Sequence, residues 1–151
     1  PLLMLLCGVT DVRNVGAVAR TVECVGADAL VVPERGGAQL NADTVKTSAG
    51  ALNHIAVCRC RDMKETIQFL KDSGLKIVAV TEHGSVSYVH ADLTGPVALL
   101  MGAEDAGIPA DYLPLCDAAV KIPLFGAVES LNVSVAASIL LYEVKRQRNL
   151  L

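Results

Sequence analysis

The sequence predicts an α/β fold in which a parallel sheet is covered by helices on both faces. Apolar runs of strand length recur along the chain, at 2–7, 29–32, 75–80 and 97–101, and a run buried on both faces is what a parallel strand needs. Helical patterns alternate with these runs, which is the rhythm of β-α units. Hydrophobic residues make up 52% of the chain and aromatics 3%, with no Trp, so the core is built from Val, Leu, Ile and Ala. At 151 residues the chain suits one domain with a real core.

The first strand is 2–7 (LLMLLC), with 8–13 as its exit loop. A helix follows over 14–25: Val15, Val18, Ala19, Val22 and Val25 fall on one face. Asn14 suits its N-cap and Gly26 its C′ position. Strand 29–32 leads into a polar, Gly-rich loop at 33–43 and a short helical piece at 44–49. A third strand is predicted at 54–57. A helix over 62–74 carries a capping-box pattern in Asp62 and Glu65 and stops at Gly74. Strand 75–80 is followed by an irregular stretch, 81–93. Strand 97–101, one helical turn at 109–113, strand 118–122 and a long helix over 131–148 complete the chain. There is no internal repeat, low-complexity tract or linker.

Several function classes are excluded or disfavoured. No apolar run approaches a membrane span, and the apolar start at 2–7 is too short for a signal peptide. The five Cys, at 7, 24, 58, 60 and 116, have neither zinc-site nor disulfide-framework spacing, which reads as reduced, mostly buried thiols in a cytoplasmic protein. The net charge of −3 provides no global basic footprint for nucleic acid, although local patches matter more than totals. No G-x-G-x-x-G follows the first strand and there is no P-loop, which argues against NAD and nucleoside triphosphates.

Three Gly-containing loops leave the C-terminal ends of apolar strands, where open parallel sheets converge on a crevice: 8–14, 102–109 and 124–130. The first leads into Asn14, Gly16, Ala17 and Arg20. Arg20, between apolar Ala19 and Val22, is either a solvated helix edge or a functional cation. The second holds Gly102, Glu104, Asp105 and Gly107; without a third carboxylate or a His nearby, the acid pair is a poor metal site, so no metal is expected. Its alternative is a helix N-terminus that prefers negative charge. The third holds Ser130, Asn132 and Ser134. Ser130 lacks a G-x-S-x-G context, and His54, His83 and His90 all lie outside the three loops, so a hydrolase triad is disfavoured. Ser130 and Asn132 also suit plain N-capping of the last helix.

Taken together, Asn14-x-Gly16-Ala17-x-x-Arg20, Gly102-x-Glu104-x-x-Gly107 and Ser130-Leu131-Asn132-Val133-Ser134 resemble, in order and spacing, the three motifs of the SpoU/TrmH family of the SPOUT superfamily. These are RNA ribose 2′-O-methyltransferases, and the resemblance covers the whole chain. The run Gln39-Leu40-Asn41-Ala42 and the ending 142–148 look most like the branch that methylates a guanosine of large-subunit ribosomal RNA.

The resemblance implies a parallel-sheet SPOUT fold whose C-terminal segment forms a deep trefoil knot, a topology no periodicity predicts. It implies S-adenosyl-L-methionine as cofactor, RNA as substrate and a homodimer with the site near its interface. It places the essential cation at Arg20, with Asn14, Glu104, Ser130 and Asn132 positioning it and the ribose. Gly102, Ile122 and Leu131 match cofactor-holding positions, with Thr81 an addition, and Leu100, Met101 and Leu124 would line the adenine slot. Residues 1–151 then form the catalytic domain, without the small N-terminal RNA-binding domain of many relatives. The pattern departs from the family at Val12, where many members have Pro, and at Asp105, where many have Gly. Arg13, Arg35, Lys46, Lys145, Arg146 and Arg148 are the cations available to offset Asp105 toward RNA, or are ordinary solvated charges. Alternatives that keep the fold are a tRNA guanosine target or a non-catalytic RNA-binding module.

Overall fold

The computed structural model describes residues 1–34 and 41–151, with 42–44 described by backbone alone. Arg35, Gln39 and Leu40 lie outside the described residues, as does most of the loop predicted at 33–43. The strands are β1 (Leu2–Leu6), β2 (Ala29–Pro33), β3 (Ala56–Cys60), β4 (Lys76–Val80), β5 (Val86–Ser87), β6 (Val97–Met101) and β7 (Ala118–Lys121). They form one sheet in the order β3-β2-β1-β6-β4-β7-β5, and every neighbouring pair is parallel. The helices are α1 (Val12–Val25), α2 (Ala42–Thr47), α3 (Met63–Asp72) and α4 (Val133–Gln147).

Alternation along the strands builds two cores. In β6, Val97, Leu99 and Met101 face α1 and α4, where they meet Val15, Val18, Val22, Ala137, Leu140 and Leu141. Ala98 and Leu100 face the other side, with Ile67 and Leu70 of α3. The central strands β1 and β6 are buried almost throughout, so apolar residues on both faces are required.

Several boundaries differ from the sequence reading, most by a residue or two, and four of the differences have a local reason. Helix α1 is capped by Asp11, whose carboxylate accepts from the Arg13 amide at 2.8 Å, so Asn14 lies inside the first turn and its side chain is released for other contacts. Strand β3 runs over 56–60 instead of 54–57: it is an edge strand with exposed Ala56, Cys58 and Arg59, which breaks the apolar signature. The stretch 81–93 is not wholly irregular, because Val86–Ser87 pairs with β7. Helix α4 starts at Val133, since Asn132 is its cap and accepts from the Ser134 and Val135 amides. The predicted ends at Gly26 and Gly74 hold; both adopt positive φ, 69° and 93°, which favours glycine. Asp62 caps α3 as expected, accepting from the Lys64 and Glu65 amides.

All five Cys are free; Cys7 and Cys60 are buried, Cys116 is half-buried, and Cys24 and Cys58 are exposed, so the thiols are less uniformly buried than expected. Burial pushes the Cys116 thiol up to about 11, so at neutral pH it is not a nucleophile.

The C-terminal helix is fastened by a polar clasp. Glu143, 6% exposed, accepts from Arg146 at 2.7 and 2.9 Å and from Gln147 Nε2 at 2.8 Å. Gln147 in turn donates to the Ala91 carbonyl and accepts from the Leu93 amide, tying α4 to the segment between β5 and β6. Arg146 holds the Glu143 carboxyl below its ordinary value of 4.5, with Gln147 adding to this against the opposing effect of burial. A carboxylate whose native pKa is depressed stabilises the fold above its unfolded pKa, and that stabilisation is lost as pH falls through the native value. Glu143→Gln is therefore expected to lower Tm at pH 7 and to flatten the fall in Tm on acidification below about pH 4.5. Thermal melts of both proteins from pH 7 to pH 3 check this; parallel curves would contradict it.

Candidate functional site

The order of the sheet reverses at β1 and β6: the chain moves outward from β1 through β2 to β3, then crosses to β4 and returns to β6 between them. Open α/β sheets place ligands at such a point, beyond the carboxyl ends of the strands. The loops after β1 and β6 meet here, with Gly8 at φ 78° and the Ala103 side chain packed against it.

The three motifs converge in one hydrogen-bonded relay. Asn132 Nδ2 donates to Asn14 Oδ1 at 3.0 Å, and Asn14 Nδ2 donates to Glu104 Oε1 at 3.1 Å. These residues are 118 and 90 positions apart in the chain. The cap fixes both amide orientations. Asn132 Oδ1 is occupied by the α4 N-terminus, so Nδ2 must face Asn14, and Asn14 must then offer Nδ2 to the carboxylate. Glu104 ends the relay as an exposed acceptor.

Beside it opens a cavity of about 580 Å³ at the ends of β4, β6 and β7. Thr81, Met101, Gly102, Glu104, Ile122, Leu124, Ser130 and Leu131 all line it. Its floor is shaped by a close backbone approach: a Cβ on Gly102 would lie 2.3 Å from the Gly107 carbonyl carbon. The loop between them closes through reciprocal Ala103–Gly107 backbone hydrogen bonds. Across the cavity, the Thr81 amide donates to the Val120 carbonyl, and Gly84 presses on the β7 backbone. The arrangement offers an apolar slot, open backbone edges and exposed carboxylates, which suits a flat heteroaromatic ligand with a polar, cationic tail.

Not every residue singled out from the sequence lines this cavity. Leu100 is fully buried, and its side chain lies in the α3-side core, on the opposite face of the sheet from Met101; the strand period of two separates the neighbours. Asn14 and Asn132 stand in the relay and do not line the cavity. Arg20 is exposed on α1, lines no part of the cavity and makes no hydrogen bond or ion pair among the described residues. Of the proposed RNA-facing cations, Arg13 pairs with Asp11 at 3.2 Å, Arg146 is held by Glu143, and Arg148 donates to the Pro1 and Gly95 carbonyls. Two of the three tail cations are thus engaged by groups of the fold itself. The sequence reading missed Glu82 and His83, which line the cavity beside Thr81. They leave the C-terminal end of β4, the same position relative to a strand that marked the other loops. Among the described residues no helix is long and apolar enough to cross a membrane, and no group of three metal-ligating side chains is assembled.

The sequence profile of the SpoU rRNA Methylase family matches residues 1–142. The chain is 41% identical over 150 residues to the 23S rRNA (guanosine-2′-O-)-methyltransferase RlmB of Photobacterium profundum, a match that covers 99% of this chain and 61% of that protein. The chain thus spans about three fifths of the length of that curated relative. The crystal structure of the SpoU methyltransferase AviRb from Streptomyces viridochromogenes matches with a TM-score of 0.91 at 32% identity, over 98% of this chain and 60% of that one. The AdoMet-bound rRNA methyltransferase from Sinorhizobium meliloti matches with a TM-score of 0.90 at 31% identity, over 96% of this chain and 56% of that one. With its three motifs drawn together at the switch point of a seven-stranded parallel sheet and the family profile running through residue 142, the chain belongs to the SpoU rRNA Methylase family.

Proposed function

We propose that residues 1–151 are the catalytic domain of an S-adenosyl-L-methionine-dependent RNA methyltransferase. It acts on a ribose 2′-hydroxyl, that of a guanosine in large-subunit ribosomal RNA. The observation that carries the reading is the Asn132–Asn14–Glu104 relay standing against a cavity of about 580 Å³ that shares Glu104 with it.

The residues present fit the cofactor. Met101, Leu124 and Leu131 would hold the adenine, while the backbone at Gly102, Ile122 and Leu131, with Thr81, would hold its polar edges. The absence of a Cβ at Gly102 keeps the floor open. The bound cofactor supplies a methyl already activated by a sulfonium charge, so no metal enters the scheme. Arg20 supplies the fixed cation. A ribose hydroxyl is far from its pKa at neutral pH, and a planar guanidinium engages the 2′-oxygen or the neighbouring phosphate at two points, stabilising negative charge as it develops. The absence of a competing protein partner among the described residues leaves Arg20 available for that contact. Asn132 orients Asn14, which donates to Glu104, and the three fix the α1 end near the ribose. Ser130, exposed at the cavity rim, positions and does not attack.

The fold's finer topology belongs to the same proposal: the C-terminal segment passes through the loop formed by 81–96, giving a trefoil knot. Supporting this, β7 lies between β4 and β5, two strands joined by the short connection 81–85. In addition, Gln147 fastens α4 to Ala91 and Leu93 on that same loop. The chain works as a homodimer. Exposed Phe125 (97%) and Val128 (76%), with Leu131, Val135 and Tyr142 partly open, give it an apolar surface along the third motif and α4. Light scattering at micromolar concentration is expected to return twice the chain's 15.8 kDa, and a clean monomer would contradict the dimer.

Calorimetry with S-adenosylhomocysteine tests the cofactor and separates an enzyme from a non-catalytic RNA-binding module; saturable binding is expected, and none would favour the module. Mapping ribose methylation across cellular RNA with and without the gene tests the target. One missing mark on a large-subunit guanosine is expected, and a missing tRNA mark would move the substrate.

A further inference from the structure

Behind the Asn132–Asn14 contact at the start of α4, the packing of α1 on α4 is mostly apolar. Val15, Val18 and Val22 pack toward Ala137, Leu140 and Leu141, surfaces that attract without fixing direction. Within it, the hydroxyls of Thr21 and Ser138 meet at 3.0 Å, half-buried. Proton counting orients the pair. Ser138 Oγ gives its one proton to the Ser134 carbonyl at 2.8 Å, so it accepts from Thr21, whose other acceptor, the Ala17 carbonyl, is farther away at 3.4 Å.

That orientation joins the pair to the relay. Ser134 donates through its amide and its hydroxyl to Asn132 Oδ1, Asn132 donates to Asn14, and Asn14 donates to Glu104. Every donor from Thr21 onward points the same way, toward the carboxylate. The line begins on α1 at Thr21, which adjoins Arg20, and returns to the same helix at Asn14, in its first turn, before it ends on Glu104.

The geometry points to Thr21 and Ser138 as positioning residues for methyl transfer, setting the register of α1 against α4 so that Arg20 and Asn14 are presented together. The inference rests on the methyltransferase reading for its consequence, and on the hydrogen bonds alone for the coupling. A polar pair in an apolar interface favours one register because sliding loses the hydrogen bond between the helices and leaves Thr21 only the longer contact to its own helix. Neither residue lines the cavity, so their effect falls on the transfer step and not on cofactor binding.

The test uses Thr21→Val, which keeps shape and removes the hydroxyl, and Ser138→Ala, with Thr21→Ser as the conservative rescue. The expected result has three parts: kcat for methyl transfer falls about 10- to 100-fold in both variants, S-adenosylhomocysteine affinity stays within about twofold, and Thr21→Ser recovers kcat. The coupling is read separately from the side-chain amide NMR resonances of Asn14 and Asn132. These are expected to shift toward free-amide positions in Thr21→Val and to return in Thr21→Ser. Unmoved amide resonances, or a kcat unchanged when they move, would overturn the positioning role. Amides that shift in a chain whose unsubstituted form transfers no methyl group would uphold the coupling and sink the methyltransferase reading instead.

Discussion

Replacing Arg20 by Ala is expected to lower methyl transfer by about 100- to 1,000-fold while leaving S-adenosylhomocysteine affinity unchanged. The separation follows from placement. Arg20 lies on α1, exposed and outside the cavity, so the cofactor loses no contact when it is removed. In the role proposed for it, Arg20 compensates charge that develops on the 2′-oxygen, so its loss would be felt only as that charge develops. Stability should barely change, since an exposed side chain with no partner among the described residues contributes little to folding. Lys at this position should recover only part of the loss, because a point charge lacks the two-point fork. Single-turnover kinetics beside calorimetry checks the split. Retained turnover in Arg20→Ala would remove Arg20 from the chemistry, and a matching loss of cofactor affinity would place it in the wrong role.

Gly102→Ala is expected to produce the opposite pattern. The added Cβ would lie 2.3 Å from the Gly107 carbonyl carbon and from the Ile108 nitrogen, backbone atoms that cannot turn aside as a side chain would. The loop 102–107 must open, breaking the Ala103–Gly107 hydrogen bonds and reshaping the cavity floor. Cofactor affinity is expected to fall at least about tenfold, with a destabilisation of about 1–3 kcal/mol from overpacking. Gly107→Ala is the informative neighbour. A Cβ there meets nothing within 4 Å, but φ of 68° strains any L side chain, so a milder loss is expected. Denaturant titration with calorimetry checks both; unchanged affinity in Gly102→Ala would mean that the loop is not part of the cofactor site.

The order of the elements was legible because buried parallel strands write themselves as apolar runs, and β1, β4 and β6 sit close to their predicted positions. Failures occurred where that signature is diluted. Edge strand β3 alternates with Arg59 and exposed Cys58, and two-residue β5 is too short for any period. The α1 cap was misplaced by three residues because Asp11 and Asn14 are both good caps, and only the chain's path decides between them. That single difference matters for the site, since it frees Asn14 to link Asn132 with Glu104. The three loops could be named as converging from their position after strands. The hydrogen bonds among them, across 90 and 118 residues, depend on strand order, which no local pattern carries. Leu100 shows the limit of motif matching: it immediately precedes the cavity residues Met101 and Gly102, yet strand alternation sends its side chain to the other core.

The most direct measurement follows a labelled methyl group from S-adenosyl-L-methionine into 23S ribosomal RNA, then hydrolyses the RNA in alkali. Alkaline cleavage needs a free 2′-hydroxyl, so a ribose 2′-O-methyl group leaves its phosphodiester intact. The account predicts label in a single alkali-stable dinucleotide beginning with guanosine, absent when Arg20→Ala replaces the unsubstituted chain. Label on a base, recovered in mononucleotides, or no transfer by a chain that binds the cofactor, would contradict it.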